Sequence, residues 1–136
     1  MDLTTSMAIA ASGLTAQSAR MRVIAENLAN ADSTATTPGG TPYRRQVPTI
    51  SSQFNQQLDA TVVKAGAPVP DQSPFRTKYD PGNPAANAQG YVKLPNVNPL
   101  IEIMDMREAQ RSYQADLTVM DASKTMLSQT INLLTK

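Results

Sequence analysis

PLIEIMDMREAQRSYQADLTVMDASKTMLSQTINLL, from Pro99 to Leu134, decides the fold. Its larger apolar residues recur at Ile103, Met106, Tyr113, Leu117, Met120, Leu127, Ile131 and Leu134, with Gln110 and Lys124 in the two broken positions. The spacing alternates three and four, which keeps one side of a helix apolar turn after turn. Asn98 suits the N-cap, Pro99 the first helical position, and Glu102 the positive end of the helix dipole. At about 1.5 Å per residue such a helix is a rod of roughly 54 Å. A second stripe, Ile101, Met104, Val119, Met126 and Leu133, runs beside the first. One partner helix covers one seam, so two stripes fit either several neighbours or a wide apolar face in a bundle.

The other end of the chain repeats the pattern. From Leu3 to Ala31, apolar residues fall at Leu3, Met7, Ala10, Leu14, Met21, Ile24, Leu28 and Ala31, and Gln17 completes the same rhythm. Thr4, Thr5, Ser12, Ser18, Arg22 and Glu26 take the opposite side. Gly13 weakens a helix by about 1 kcal/mol relative to Ala, but it lacks a Cβ and so admits a close neighbour. Asn30 fits a helix C-terminus, where Asn tolerates the left-handed backbone. Asn27 and Asn30 also suit contacts that lock the helix end to an adjoining subunit.

Between the ends, residues 32–98, periodicity is lost. Pro38-Gly39-Gly40 ends any helix, and the stretch from Asp32 to Pro48 has loop chemistry. Short strands are expected within Leu58–Ala65, around Thr61-Val62-Val63, at Phe75–Tyr79 and at Tyr91–Leu94. Asp80-Pro81-Gly82-Asn83 reads as a turn, of type II if Gly82 takes a positive φ. The fold class is therefore mainly α: long terminal helices, 1–31 and 99–136, around a small irregular β-containing middle.

Composition narrows the function. The chain of 136 residues has a net charge of +1, which gives no strong pull toward nucleic acid or anionic membrane. It has no cysteine and no histidine, so the thiolate nucleophile, the usual neutral-pH base and the commonest metal ligands are missing. No catalytic set, cofactor site or metal site can be picked out. No apolar run is long enough to span a membrane. The start carries Asp2 where a cleaved secretory signal has basic residues. Arg44-Arg45 reads as a solvated loop pair or a salt bridge to another subunit. Glu108 and Arg111 are spaced for an i,i+3 pair worth about 0.2–0.5 kcal/mol.

Three stretches carry a resemblance. The first is Ala11–Gln17 (ASGLTAQ) followed by Asn27–Thr34 (NLANADST). The second is Tyr79–Pro84 (YDPGNP) with Gly90–Val97 (GYVKLPNV), and the third is Met106–Ala115 (MREAQRSYQA). Together they resemble the FlgC class of flagellar proximal-rod proteins over nearly the whole chain. The first motif is shared among axial proteins, and the second separates this class from its sister rod subunits. Another axial rod or hook-family subunit is the alternative. A free export adaptor or a membrane-surface helix protein is the reading from another class, and the helices lack the Lys/Arg-rich polar face that membrane binding needs.

The resemblance implies a structural subunit, exported by the flagellar type III apparatus without signal-peptide cleavage. Such subunits assemble in the periplasm, with copies of themselves and neighbouring rod proteins, into a hollow tube. The tube transmits torque and forms part of the export channel. The terminal helices are implied to pair as a coiled coil. The expected subunit interface then comprises Leu14, Met21, Ile24, Asn27, Leu28 and Asn30 at one end. At the other it comprises Met106, Tyr113, Leu117, Met120, Leu127, Ile131 and Leu134. Phe54 and Leu58 have the spacing of an export-gate recognition element found in some rod and hook subunits; a buried anchor is the plainer reading of Phe54.

Overall fold

A computed structural model of the chain describes residues 3–134. The side chain of Leu134 lies outside the described residues, as do residues 1, 2, 135 and 136. Helix α1 covers Leu3–Ala29 and helix α2 covers Pro99–Leu134. Between them lie β1 (Gln46–Val47), β2 (Ile50–Asn55), β3 (Ala60–Ala65), β4 (Val69–Pro70), β5 (Arg76–Tyr79) and β6 (Tyr91–Leu94). They pair as antiparallel two-stranded ribbons, β1 with β4, β2 with β3 and β5 with β6.

Helix α2 starts where its capping residues place it. Leu100 N donates to Asn98 Oδ1 at 3.1 Å, and Glu102 N donates to Asn98 O at 3.1 Å to close the first turn. The end of α1 differs from expectation. Asn30 is not left-handed: Asp59, at φ 46°, is the one described non-glycine residue with positive φ. Instead Asn30 Nδ2 donates to Glu26 O at 2.8 Å, so the side chain caps a free carbonyl of the last turn.

Strands β3, β5 and β6 fall where alternation places them. Strands β1, β2 and β4 were not expected. β2 (ISSQFN) carries little apolar signal and is exposed along most of its length, so its register, Ile50↔Ala65 to Asn55↔Ala60, comes from its partner. Asn55 turns the hairpin by accepting from Gln57 N at 2.9 Å, the local bond that suits Asn to turns. At the β5–β6 end, Tyr79 and Tyr91 meet edge-on with centroids 5.3 Å apart. Gly90 has φ +79°, and a Cβ there would lie 2.8 Å from Tyr79 Cε2, so conformation and space both require glycine. The Asp80–Asn83 turn forms, with Asn83 N donating to Asp80 O at 3.2 Å. Gly82 is not among the positive-φ glycines, so the turn is not type II.

The chain divides into two compact units, each drawing on both helices: residues up to Met21 with Thr49–Ala67 and everything from Arg107, and Arg22–Pro48 with Pro68–Met106. In the first unit the helices run antiparallel. Arg20 Nη2 lies 3.4 Å from Glu108 Oε2, and a Cβ added at Gly13 would come within 2.5 Å of Asp116 Oδ2. Ala10, Gly13 and Ala16 are buried on α1, and Ala109 and Ser123 on α2. The expected seam of larger residues flanks this line: Leu14, Gln17 and Met21 are half-buried. The closest approach uses the smallest side chains because they let two backbones draw together. The hairpin β2–β3 is tied to α1 by Val63 N, which donates to Ser12 Oγ at 3.1 Å. In the second unit the apolar core is Val23, Ile24, Ala31, Ala85, Val92 and Val97.

Candidate assembly interface

Two features stand out: a buried polar cluster that fixes the second unit, and apolar helix faces left in water. The cluster centres on Glu102, whose side chain is fully buried. Arg45 Nε donates to Glu102 Oε1 at 2.6 Å, and the same guanidinium lies 3.5 Å from Asp71 and 3.6 Å from Asp105. Asn27 is also fully buried. Its Nδ2 donates to Gln46 O at 2.7 Å and Glu102 Oε2 at 3.1 Å, and its Oδ1 accepts from Tyr43 Oη and Gln46 N, both at 2.8 Å. Every hydrogen-bonding position of that amide is satisfied within the chain. Asn96 extends the cluster: its Oδ1 accepts from Arg45 N at 2.8 Å, and its Nδ2 donates to the carbonyls of Asp71 and Ser73, each at 3.2 Å.

The electrostatics follow from this packing. Burial lowers the pKa of Arg45, but the hydrogen bond to Glu102 and the charges of Glu102, Asp71 and Asp105 outweigh it, so the guanidinium is held above its ordinary value. Hydrogen bonds from the Ser73 side chain and backbone hold Asp71 below the usual carboxylate range, with Arg45 adding to the effect. Burial, then the Glu26 and Glu102 carboxylates, push the Tyr43 hydroxyl up. Arg44 stacks 4.3 Å over the Phe75 ring and donates to Asp71 O at 2.7 Å. The Arg44-Arg45 pair is thus not a solvated loop; both side chains are engaged within the chain. Glu108 pairs with Arg20 rather than with Arg111.

The second stripe of α2 is exposed at each of its positions: Ile101 49%, Met104 63%, Val119 50%, Met126 52% and Leu133 78%. Leu100 and Ile103 are exposed beside it. The residues expected at a subunit interface divide. Ile24 and Asn27 face inward. Leu14, Met21, Asn30, Met106, Tyr113, Leu117, Met120 and Leu127 are half-buried, and Leu28 and Ile131 are exposed. Phe54 is not a buried anchor: it sits on β2 at 58% exposure, with Leu58 half-buried in the hairpin turn. Among the described residues no group of His, Cys, Asp or Glu could hold a metal ion, and no helix is long and apolar enough to cross a membrane.

The cluster escaped sequence reading because its members are far apart in the chain. Arg45 and Glu102 are separated by 57 residues, and nothing local in either segment announces the other. The one available signal was Glu102 itself, a carboxylate among Ile101, Ile103 and Met104.

Comparison with known proteins bears on these surfaces. Residues 7–35 match the family model described as "Flagella basal body rod protein", and residues 88–133 match "Flagellar basal body rod FlgEFG protein C-terminal". A protein of Agrobacterium fabrum named "Flagellar basal-body rod protein FlgC" is 49% identical over 126 residues, 93% of this chain and 91% of that protein. Proteins of the same name from Escherichia coli O6:H1 and Bacillus subtilis are 45% and 40% identical. They cover 92% and 94% of this chain, and 92% and 95% of their own lengths.

Proposed function

The chain belongs to the FlgC class of flagellar basal-body rod proteins, and from that membership we propose that it is a non-catalytic building subunit of the proximal rod. The observation that carries the reading is the exposed apolar stripe of α2. Large apolar surface left in water marks an interaction site, and a rod subunit has neighbours on several sides. The terminal helices, already antiparallel in the first unit, form the coiled-coil part of the tube. Leu14, Met21, Leu28, Met106, Tyr113, Leu117, Met120, Leu127 and Ile131 supply its contacts. The middle segment, 32–98, lies on the outside. Copies of the chain and neighbouring rod proteins complete the tube, which transmits torque and leaves a channel for export. Neither nucleic acid nor membrane insertion has a part, and no cofactor is needed.

Electron microscopy of basal bodies isolated from cells lacking this chain is expected to show the rod interrupted near its membrane-proximal end. Intact rods in those cells would overturn the assignment.

The chain reaches the periplasm through the flagellar type III apparatus, uncleaved. Phe54 and Leu58 form the recognition element, and the exposure of Phe54 supports that role over a packing one. Phe54→Ala is expected to lower secretion by about tenfold, the effect of losing roughly 1.4 kcal/mol of contact, with soluble chain accumulating in the cytoplasm. Normal secretion with defective rods would assign the pair to assembly instead.

A further inference from the structure

The first unit holds a groove of about 550 Å³ whose lining includes Ile9, Ala10, Gln17, Val63, Asp116 and Val119. Small and apolar side chains make most of its wall. Ser6 and Ser112 add hydroxyls to that wall, and two further polar groups interrupt it. Gln17 Oε1 is out of reach of solvent and accepts no hydrogen bond. Asp116 carries the one charge in the lining, and among the described residues it belongs to none of the ion pairs. The groove is therefore mainly apolar, with one negative charge outside the ion pairs.

The same unit carries a surface of the opposite kind. Gly13 lies opposite Asp116 and the helices are antiparallel, so Leu3, about ten residues earlier, falls near Met126. The last two turns of α2 run past the first described residue of α1. From just before that overhang and along it, Lys124, the half-buried Leu127 and Ile131 succeed one another at helical spacing. Lys124 is exposed and, like Asp116, stands outside the ion pairs among the described residues. Ile131 is 51% exposed. An apolar helix face with one cation is the complement of an apolar groove with one anion.

The geometry points to a second copy of this chain as the occupant: the Lys124–Leu127–Ile131 face of one copy seats in the groove of the next, with the Lys124 ammonium on the Asp116 carboxylate. The inference rests on the rod reading and adds a specific contact to it. Groove and tail are different surfaces, so the contact is head-to-tail. Such a contact does not close on itself between two copies, and repetition builds a ring or a helical array.

The chain has no cysteine, so an introduced pair can be read without background. Cells lacking their own copy would express Ile9→Cys and Ile131→Cys versions together, and isolated basal bodies would be oxidised. A dimer containing one of each is expected. Asp116→Lys alone and Lys124→Asp alone are each expected to lower its yield, and motility, by about tenfold or more. The two changes in one chain should restore both. Lys124 is exposed, so Lys124→Asp tests the contact without threatening the fold. Dimers of one variant only, a cross-link to a different protein, or no rescue by the double change would overturn the contact. Intact rods without the mixed dimer overturn this contact and leave the rod assignment standing. A mixed dimer formed by the purified chain, with the chain itself absent from isolated basal bodies, overturns the rod assignment and leaves the contact standing.

Discussion

Arg45→Ala is expected to lower the unfolding free energy by about 3–5 kcal/mol, because it leaves a buried carboxylate without its cation. Glu102 is fully buried and receives its shortest hydrogen bond, 2.6 Å, from Arg45 Nε. The remaining donor, Asn27 Nδ2 at 3.1 Å, is neutral and cannot balance the charge. Folded proteins typically have only about 5–15 kcal/mol in hand, so the variant should melt about 10–20 °C lower. Arg44→Ala is the comparison. Arg44 lies one residue away and stacks on Phe75, and its loss should cost about 1–2 kcal/mol as a partly exposed cation–π contact. Arg45→Lys should fall between the two, because an ammonium cannot fork toward three carboxylates. Thermal unfolding followed by circular dichroism decides the matter. Equal melting temperatures for Arg45→Ala and Arg44→Ala would show that the cluster does not hold the fold.

Ile131→Asp should abolish motility while leaving secretion intact. Residue 131 stands in the last turns of α2, half exposed in the free chain. Full burial of an Ile side chain contributes about 1.5–3 kcal/mol, and a carboxylate in its place adds a desolvation cost. Every contact between copies repeats that loss, so a change tolerable once becomes prohibitive along an array. Thr125→Asp, exposed between the two apolar stripes of the helix, should leave cells motile. Swimming assays together with blots of the secreted fraction separate the outcomes. Motile cells carrying Ile131→Asp, or equal damage from both changes, would remove this face from the interface.

The two helices were legible because amphipathic periodicity and the Asn98-Pro99 start are local signals. What lay against what was not. The expected α1 seam shares Ala10 with the closest approach of the helices, but that approach continues along Gly13 and Ala16 rather than Leu14 and Gln17. Small residues make that approach possible and carry almost no hydropathy contrast. The second α2 stripe was legible for the complementary reason: its large side chains stay largely exposed, so little competes with their pattern. Strand β2 was hidden because its residues are polar and its pairing is set by β3. The Arg45–Glu102 pair was hidden because charge complementarity between distant segments leaves no trace in either one.

The β2–β3 ribbon has a consequence for the subunit before it is built in. A two-stranded ribbon has two open edges, each a template on which a further strand can stack. Segments that stack readily into fibrils are apolar, uncharged and rich in β-branched residues. The β3 edge is tied to α1 through Val63 N and Ser12 Oγ, and the middle of β2 presents Ser51, Ser52 and Gln53 between Ile50 and Phe54, with Lys64 facing Ser51 across the ribbon. The centre of that edge is polar, unlike a fibril-forming segment. Among the described residues, eight of the fourteen exposed large apolar side chains sit on α2, where backbone groups bond within the helix and cannot propagate a sheet. Most of the stickiness is thus carried by an element without open hydrogen-bonding edges, which lowers the tendency of a crowded chain to seed a fibril.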